Sequence, residues 1–186
     1  MTPGAFVKAL RTNPAISAIV GQLPALGVDQ ALLTGGCLAQ TWWNIAAGRD
    51  PQTGIRDYDL FYWDADTSWD AEDAVIRRAK AMFAPLVLPV EPRNQARVHL
   101  WFAGRFGDAC PPLATARAGV DRFLFPALRL ALDADGLLYA PDGLDDVLAG
   151  YLRPDPTAPR LAQARPKARD YRERWPSLRL AVELQD

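Results

Sequence analysis

Ligands for a soft metal are scarce in this chain: one histidine, His99, and two cysteines, Cys37 and Cys110, among 186 residues. A structural zinc site draws on about four such residues, so zinc is not expected, and no His/Asp cluster suits metal-assisted phosphohydrolysis. The two cysteines sit in unrelated contexts. A lone pair does not make a disulfide framework, and both read as reduced thiols of a cytoplasmic protein. No run approaches the ~18 apolar residues that span a bilayer. Met1 to Arg11 has neither a long apolar core nor a small-residue cleavage site, so no signal peptide and no membrane partner are expected. Charge of one sign is missing too. With 21 Lys and Arg against 22 Asp and Glu, well mixed along the chain, the one-sided basic balance of a dedicated nucleic-acid binder is absent.

What is present is enough apolar residue for a real core, 49% of the chain, at a length that suits one domain. We expect a single unit over 1–186, with a core over about 1–110 and a C-terminal extension over about 111–186. Apolar positions at helical spacing (Phe6, Leu10, Ile16, Ile19, Val20, Leu23), broken at Pro14 and Pro24, predict two short helices. A strand follows over Asp29–Leu33, then a helix over Cys37–Ala47, a strand over Ile55–Trp63 and an amphipathic helix over Trp69–Phe83. Leu86–Val90 and Ala96–Phe102 read as strands around a loop, Glu91 to Gln95. Leu128–Leu132 and Leu137–Ala140 form a hairpin. Helices close the chain over Leu144–Leu152 and about Lys167–Arg174. The mixture predicts an α/β (α+β) fold with a short mixed β-sheet flanked by helices, ending in the hairpin and the last helices.

Two motifs carry chemistry. In Leu32-Leu33-Thr34-Gly35-Gly36-Cys37 a short strand meets a glycine pair that opens a helix. Glycine there serves either a plain turn or a close approach to backbone, and a helix N-terminus receives anions. One helix and one loop later comes Arg56-Asp57-Tyr58-Asp59-Leu60. In a strand, Asp57 and Asp59 share a face with Cα atoms roughly 6.5–7 Å apart, placed to hold a divalent cation such as magnesium or manganese. A phosphate cradle followed by a metal holder is what a nucleoside triphosphate requires.

Together these motifs resemble the signature of the DNA polymerase β-type nucleotidyltransferase superfamily: a strand, a glycine pair and a helix, then an acid-x-acid strand. Arg93 to Trp101, Tyr139 to Asp146 and Trp175 to Leu178 also resemble segments of a bacterial nucleotidyltransferase-like family. The resemblance implies a nucleotidyltransferase-like fold with its site on one exposed sheet face. It makes Gly35 and Gly36 the residues that admit the triphosphate, and Asp57 and Asp59 the first two metal-binding carboxylates. It further implies transfer of a nucleoside monophosphate from an NTP to a hydroxyl of a small molecule, protein or RNA. Arg56, Arg93 and Arg97 are candidates to neutralise phosphate.

The superfamily also places a third carboxylate on a later strand. The strand read here, Ala96-Arg97-Val98-His99-Leu100-Trp101, has none. Alternation sets Arg97, His99 and Trp101 on one face, so His99 takes the acid's place, either as a general base or as a half-buried hydrogen-bonded histidine. Glu91 and Asp108 are the other acids, in apparent loops. The alternative is a catalytically impaired module of the same fold that binds a nucleotide or a protein partner. Of the six tryptophans, Trp101 is the candidate stacking platform.

Overall fold

Proline and capping side chains set the first boundaries. Helix α1 (Pro3–Leu10) and helix α2 (Pro14–Gln22) each begin on a proline, and Thr2 and Asn13 accept hydrogen bonds from their first free N–H groups. The computed structural model describes residues 1–86 and 89–185. Strand β1 (Leu32–Thr34) leads through Gly35 into helix α3 (Gly36–Ala46), followed by strand β2 (Tyr58–Tyr62) and helix α4 (Trp69–Met82). Next come strand β3 (Val90–Asn94), helix α5 (Val98–Phe106) and helix α6 (Ala116–Val120). The hairpin is β4 (Ala131–Asp133) and β5 (Leu138–Tyr139), then helix α7 (Asp145–Leu148), strand β6 (Tyr151–Leu152), helix α8 (Ala164–Arg174) and strand β7 (Arg179–Leu180). Among the described residues no helix is long and apolar enough to cross a membrane.

Five strands form a mixed sheet in the order β3-β2-β1-β4-β5, parallel only between β2 and β3, while β6 and β7 pair separately. Period-2 alternation gives the sheet two different faces. Leu33, Tyr58, Leu60, Tyr62 and Leu132 enter the main core with Phe6, Leu10, Ile16 and Ile19. Each such fully buried side chain contributes about 1.5–3 kcal/mol. On the opposite face Leu32 and Ala131 pack with Ala116 and Val120 of α6, against Phe61 and Phe123. The same face carries Thr34, Asp59 and Glu91, side by side across three strands: Thr34 opposes Asp59, and Asp59 opposes Glu91.

Four expectations are corrected. The strand expected over Leu86–Val90 starts at Val90, and Val87 and Leu88 lie outside the described residues. The expected loop Glu91 to Gln95 is for the most part strand β3. Pro92 is tolerated because β3 is an edge strand. Tyr58 N–H donates to the Pro89 carbonyl at 3.0 Å, which turns Glu91 and Arg93 toward β2 and leaves the Pro92 nitrogen on the open edge. In place of the strand expected over Ala96–Phe102 lies helix α5, burying Val98 and Phe102 at i, i+4 and ending on the left-handed Gly107. The helix expected over Leu144–Leu152 stops at Leu148, and after the left-handed Gly150 the chain extends into β6.

Candidate active site

The site is assembled on the half of the sheet that α6 leaves open. Asp57 precedes β2 by one residue and is exposed, whereas Asp59 lies on β2 and is partly covered. Glu91 on β3 stands in register with Asp59, so both carboxylates leave the sheet on one face. Burial, then the neighbouring Asp57 and more weakly Glu91, push the Asp59 carboxyl up to about 7. Arg93 Nη2 donates to Glu91 Oε2 at 3.0 Å, shielding the outer acid. Among the described residues no three His, Cys, Asp or Glu side chains converge into a metal-holding group. The donor set nevertheless fits a hard divalent cation, because Asp57, Asp59 and Glu91 offer only carboxylate oxygens and Asp59 gains by having its charge neutralised.

Two cavities meet at Asp59. The first, about 220 Å³, runs from Gly36 and Gln40 at the start of α3 past Asp57 to Lys167 and Arg174 of α8. Gly35 has φ +79° and ψ −140°, a region that side chains avoid. A Cβ there would lie 2.9 Å from Phe123 Cζ and 3.4 Å from Asp59 Oδ2. A Cβ on Gly36 would project to within 2.6 Å of Gln40 Nε2 and 3.3 Å of the Tyr171 hydroxyl. The glycine pair thus keeps side chains out of the space beside the helix N-terminus. Gln40 Oε1 is buried without a hydrogen-bond partner. Arg56 lines the same cavity, where its Nη2 donates to Asp170 at 3.0 Å. Beneath it Cys37 donates to the Thr34 carbonyl at 3.4 Å, and burial together with Asp59 and Asp57 pushes its thiol up. It is a packing residue, not a nucleophile.

The second cavity, about 240 Å³, opens on the Glu91 side of Asp59. Its lining is rich in aromatic rings: Phe61 and Phe123, stacked at 5.6 Å, and Trp101, Phe102 and Phe106 of α5. Arg105, Arg122 and Arg160 rim it, and Lys167 reaches both cavities. Burial and the nearby Arg160 lower the Lys167 ammonium from its ordinary value.

The structure therefore brings Gly35, Gly36, Arg56, Asp57 and Asp59 together and leaves two expected residues aside. His99 is on helix α5, lines neither cavity, and has its Nδ1 buried without a partner. Arg97 is paired with Glu72 and donates to the Thr67 carbonyl at 3.2 Å, away from both cavities. Sequence reasoning missed Lys167, Arg160 and the placement of Glu91. An acid three residues before Asn94 in an extended proline-containing run was a usable signal for Glu91. The cations of α8 had none, because only the tertiary fold carries them back to the sheet.

Similarity to known proteins agrees with this geometry. A family model described as nucleotidyltransferase matches residues 22–180. A structure determined by NMR and described as revealing a CCA-adding enzyme head domain superposes with a TM-score of 0.78, over 97% of this chain and 96% of that one, at 20% identity. That likeness is one of fold. None of the curated proteins compared with the chain matches it. With most of its length covered by the family model, the chain belongs to this nucleotidyltransferase family.

Proposed function

We propose that the chain transfers a nucleoside monophosphate from an NTP to a hydroxyl acceptor, using Asp57, Asp59 and Glu91 as its carboxylate set. The carrying observation is that Glu91 stands in register with Asp59 where two cavities meet. That placement supports Glu91 as the third acid, which the impaired-module alternative takes to be missing. The chain acts as one unit, since residues beyond 110 contribute β4 and β5 to the main sheet and Lys167 to the site. Its two unpaired thiols suit the cytoplasm.

Gly35 and Gly36 admit the triphosphate to the N-terminus of α3, where backbone N–H groups point at it. Lys167, Arg174 and Arg56 balance its charge from the α8 side. Asp57 and Asp59 would hold a magnesium or manganese ion, which would supply further neutralisation of the phosphates. In the transfer itself the acceptor oxygen bonds to the α-phosphorus as the bond to the β-phosphate oxygen breaks. Pyrophosphate leaves, and Glu91 takes the hydroxyl proton. His99 and Arg97 have no part in this reading.

The test measures binding of a non-hydrolysable NTP with and without magnesium. Wild type shows metal-dependent binding, and the Asp57→Asn/Asp59→Asn protein, still folded by circular dichroism, loses about 100-fold or more of it. The Glu91→Gln protein keeps binding within a few-fold and releases no pyrophosphate. Equal binding by wild type and the double variant would sink the reading.

A further inference from the structure

The cavity on the Glu91 side has a chemistry of its own. Its lining includes two acids, Asp59 and Glu91, and three arginines, Arg105, Arg122 and Arg160. Among the described residues none of these three guanidinium groups has a carboxylate ion-pair partner. Arg122 donates only to the Ala109 carbonyl, at 3.4 Å. Arg160 Nε is buried with no hydrogen-bond partner at all.

Aromatic rings hold the guanidiniums in place. Arg160 lies 4.7 Å from the Phe106 centroid and 5.7 Å from that of Phe102, and Arg122 lies 5.8 Å from Phe102. The position of Arg160 costs backbone strain, with φ at +64°, and its N–H is tied to Asp108 Oδ2 at 2.6 Å. Burial and the adjacent Arg122 both work against its charge. Like charges gathered without carboxylate partners, one of them with a buried donor unpaired, describe a receptor for an anion. The lining also includes the rings of Phe61, Phe123 and Trp101, whose apolar faces suit a planar group.

We propose that this cavity is the acceptor site and that it takes a small hydroxyl compound built on a planar ring and carrying a phosphate monoester. The phosphate lies against Arg122 and Arg160, the ring lies by Trp101, and the hydroxyl is presented to Glu91. The inference rests on the nucleotidyl-transfer reading for the direction in which the hydroxyl points. The chemical step is the one given above: the oxygen–α-phosphorus bond forms, pyrophosphate departs and the hydroxyl proton passes to Glu91. The volume, about 240 Å³, and a net charge of −1 favour a small molecule over a nucleic-acid strand, which needs a longer basic track.

The probes are para-hydroxymethylphenyl phosphate and its uncharged parent para-hydroxymethylphenol, titrated by calorimetry with and without a non-hydrolysable NTP. The phosphate compound should bind at least about tenfold more tightly than the phenol. An Arg122→Gln/Arg160→Gln protein should lose about 10- to 100-fold of that affinity and keep NTP binding within about twofold. Arg105→Gln, at an exposed position, should give a smaller loss in a protein whose folding is not in question, and Trp101→Ala should weaken both probes alike. Equal affinity for the two probes overturns the proposal. So does loss of NTP binding in the double variant, which would assign the arginines to the triphosphate. Arginine-dependent binding of a short RNA with a free terminal hydroxyl, without binding of the phenyl phosphate, overturns it in favour of a nucleic-acid acceptor. If the phosphate probe binds as described and no NTP binds, the cavity assignment stands and the transfer reading fails.

Discussion

The carboxyl of Asp59 is held in a place where burial, Asp57 and Glu91 all oppose its ionisation, and it titrates near 7 instead of its ordinary 3.8. Between those two values the folded protein keeps a proton that the unfolded chain has released. Stability therefore falls as pH rises from about 4 to about 7, and the ionised group is a net cost above that. Asp59→Asn removes the titration. Without divalent cations it should make the protein more stable at about pH 8, on the order of a few kcal/mol, and leave it unchanged at about pH 4. Urea denaturation at the two pH values measures this. Magnesium should stabilise the wild type and not the variant. A variant that is less stable at about pH 8 would show that the carboxylate is well compensated as it stands. The neighbouring Cys37 sits in the same unfavourable field, which fits a surface arranged to receive positive charge.

At the scale of elements, the passage from β3 to α5 fixes where Glu91 ends up, and Asn94 makes that passage. Its side chain, 1% exposed, accepts from the Asp64 and Ala96 N–H groups and donates to the Asp64 and Asp66 carbonyls, all at 3.0–3.2 Å. Its own N–H donates to Glu72 Oε1 at 3.0 Å, covering the open edge of the sheet. Asn94→Ala should cost about 2–4 kcal/mol in denaturant titrations, since several buried backbone groups lose partners together. His99→Ala, in the first turn of α5, should change stability by about 1 kcal/mol or less and leave the pH profile of transfer unaltered. A pH profile that loses its acidic limb on removing His99 would return the histidine to the site as a general base.

The junction also explains what was legible in the sequence. The first helices, the glycine turn into α3, the Asp57–Asp59 strand, α4 and the hairpin could all be read, because in each the local pattern and the tertiary demand agree. Over residues 86–102 they compete. Pro92-Arg93-Asn94 looks like a turn unless the strand is known to be an edge. Val98 to Trp101 alternates well enough to pass for a strand, while Val98, Phe102 and Phe106 carry the helical period. The acid of the site was visible as a residue, and its neighbour on the sheet was not.

For the whole molecule, the question is what holds α8 and its Lys167 over strand β2, more than a hundred residues earlier in the chain. Asn44 accepts from Trp175 Nε1 at 2.7 Å and donates to the Pro51 and Thr53 carbonyls, and Arg49 donates to the Arg174 carbonyl at 2.9 Å. A second clamp is Arg129, 8% exposed, which donates to the Phe123 carbonyl at 3.0 Å and pairs with Asp142 at 3.3 Å and Asp155 at 2.5 Å. Thr157 and Arg129 hold the Asp155 carboxyl down at about 2. Its stabilisation is complete above about pH 4 and is lost as pH falls toward 2, opposite in sense to Asp59. In the metal-free protein these two groups alone place the stability maximum near pH 4, with one limb on each side. Asp155→Asn should remove the acid limb, costing about 2 kcal/mol at pH 4 and above and little at about pH 2, while Asp59→Asn removes the neutral limb. No hydrogen bond or ion pair joins the two carboxylates, so the effects should add and the double variant should show a flatter profile than either single variant. Denaturant titrations of the four proteins at about pH 2, 4.5 and 8 decide it. A double variant that keeps either limb would mean that another group, and not the site carboxylate or the Arg129 clamp, sets the pH response of the fold.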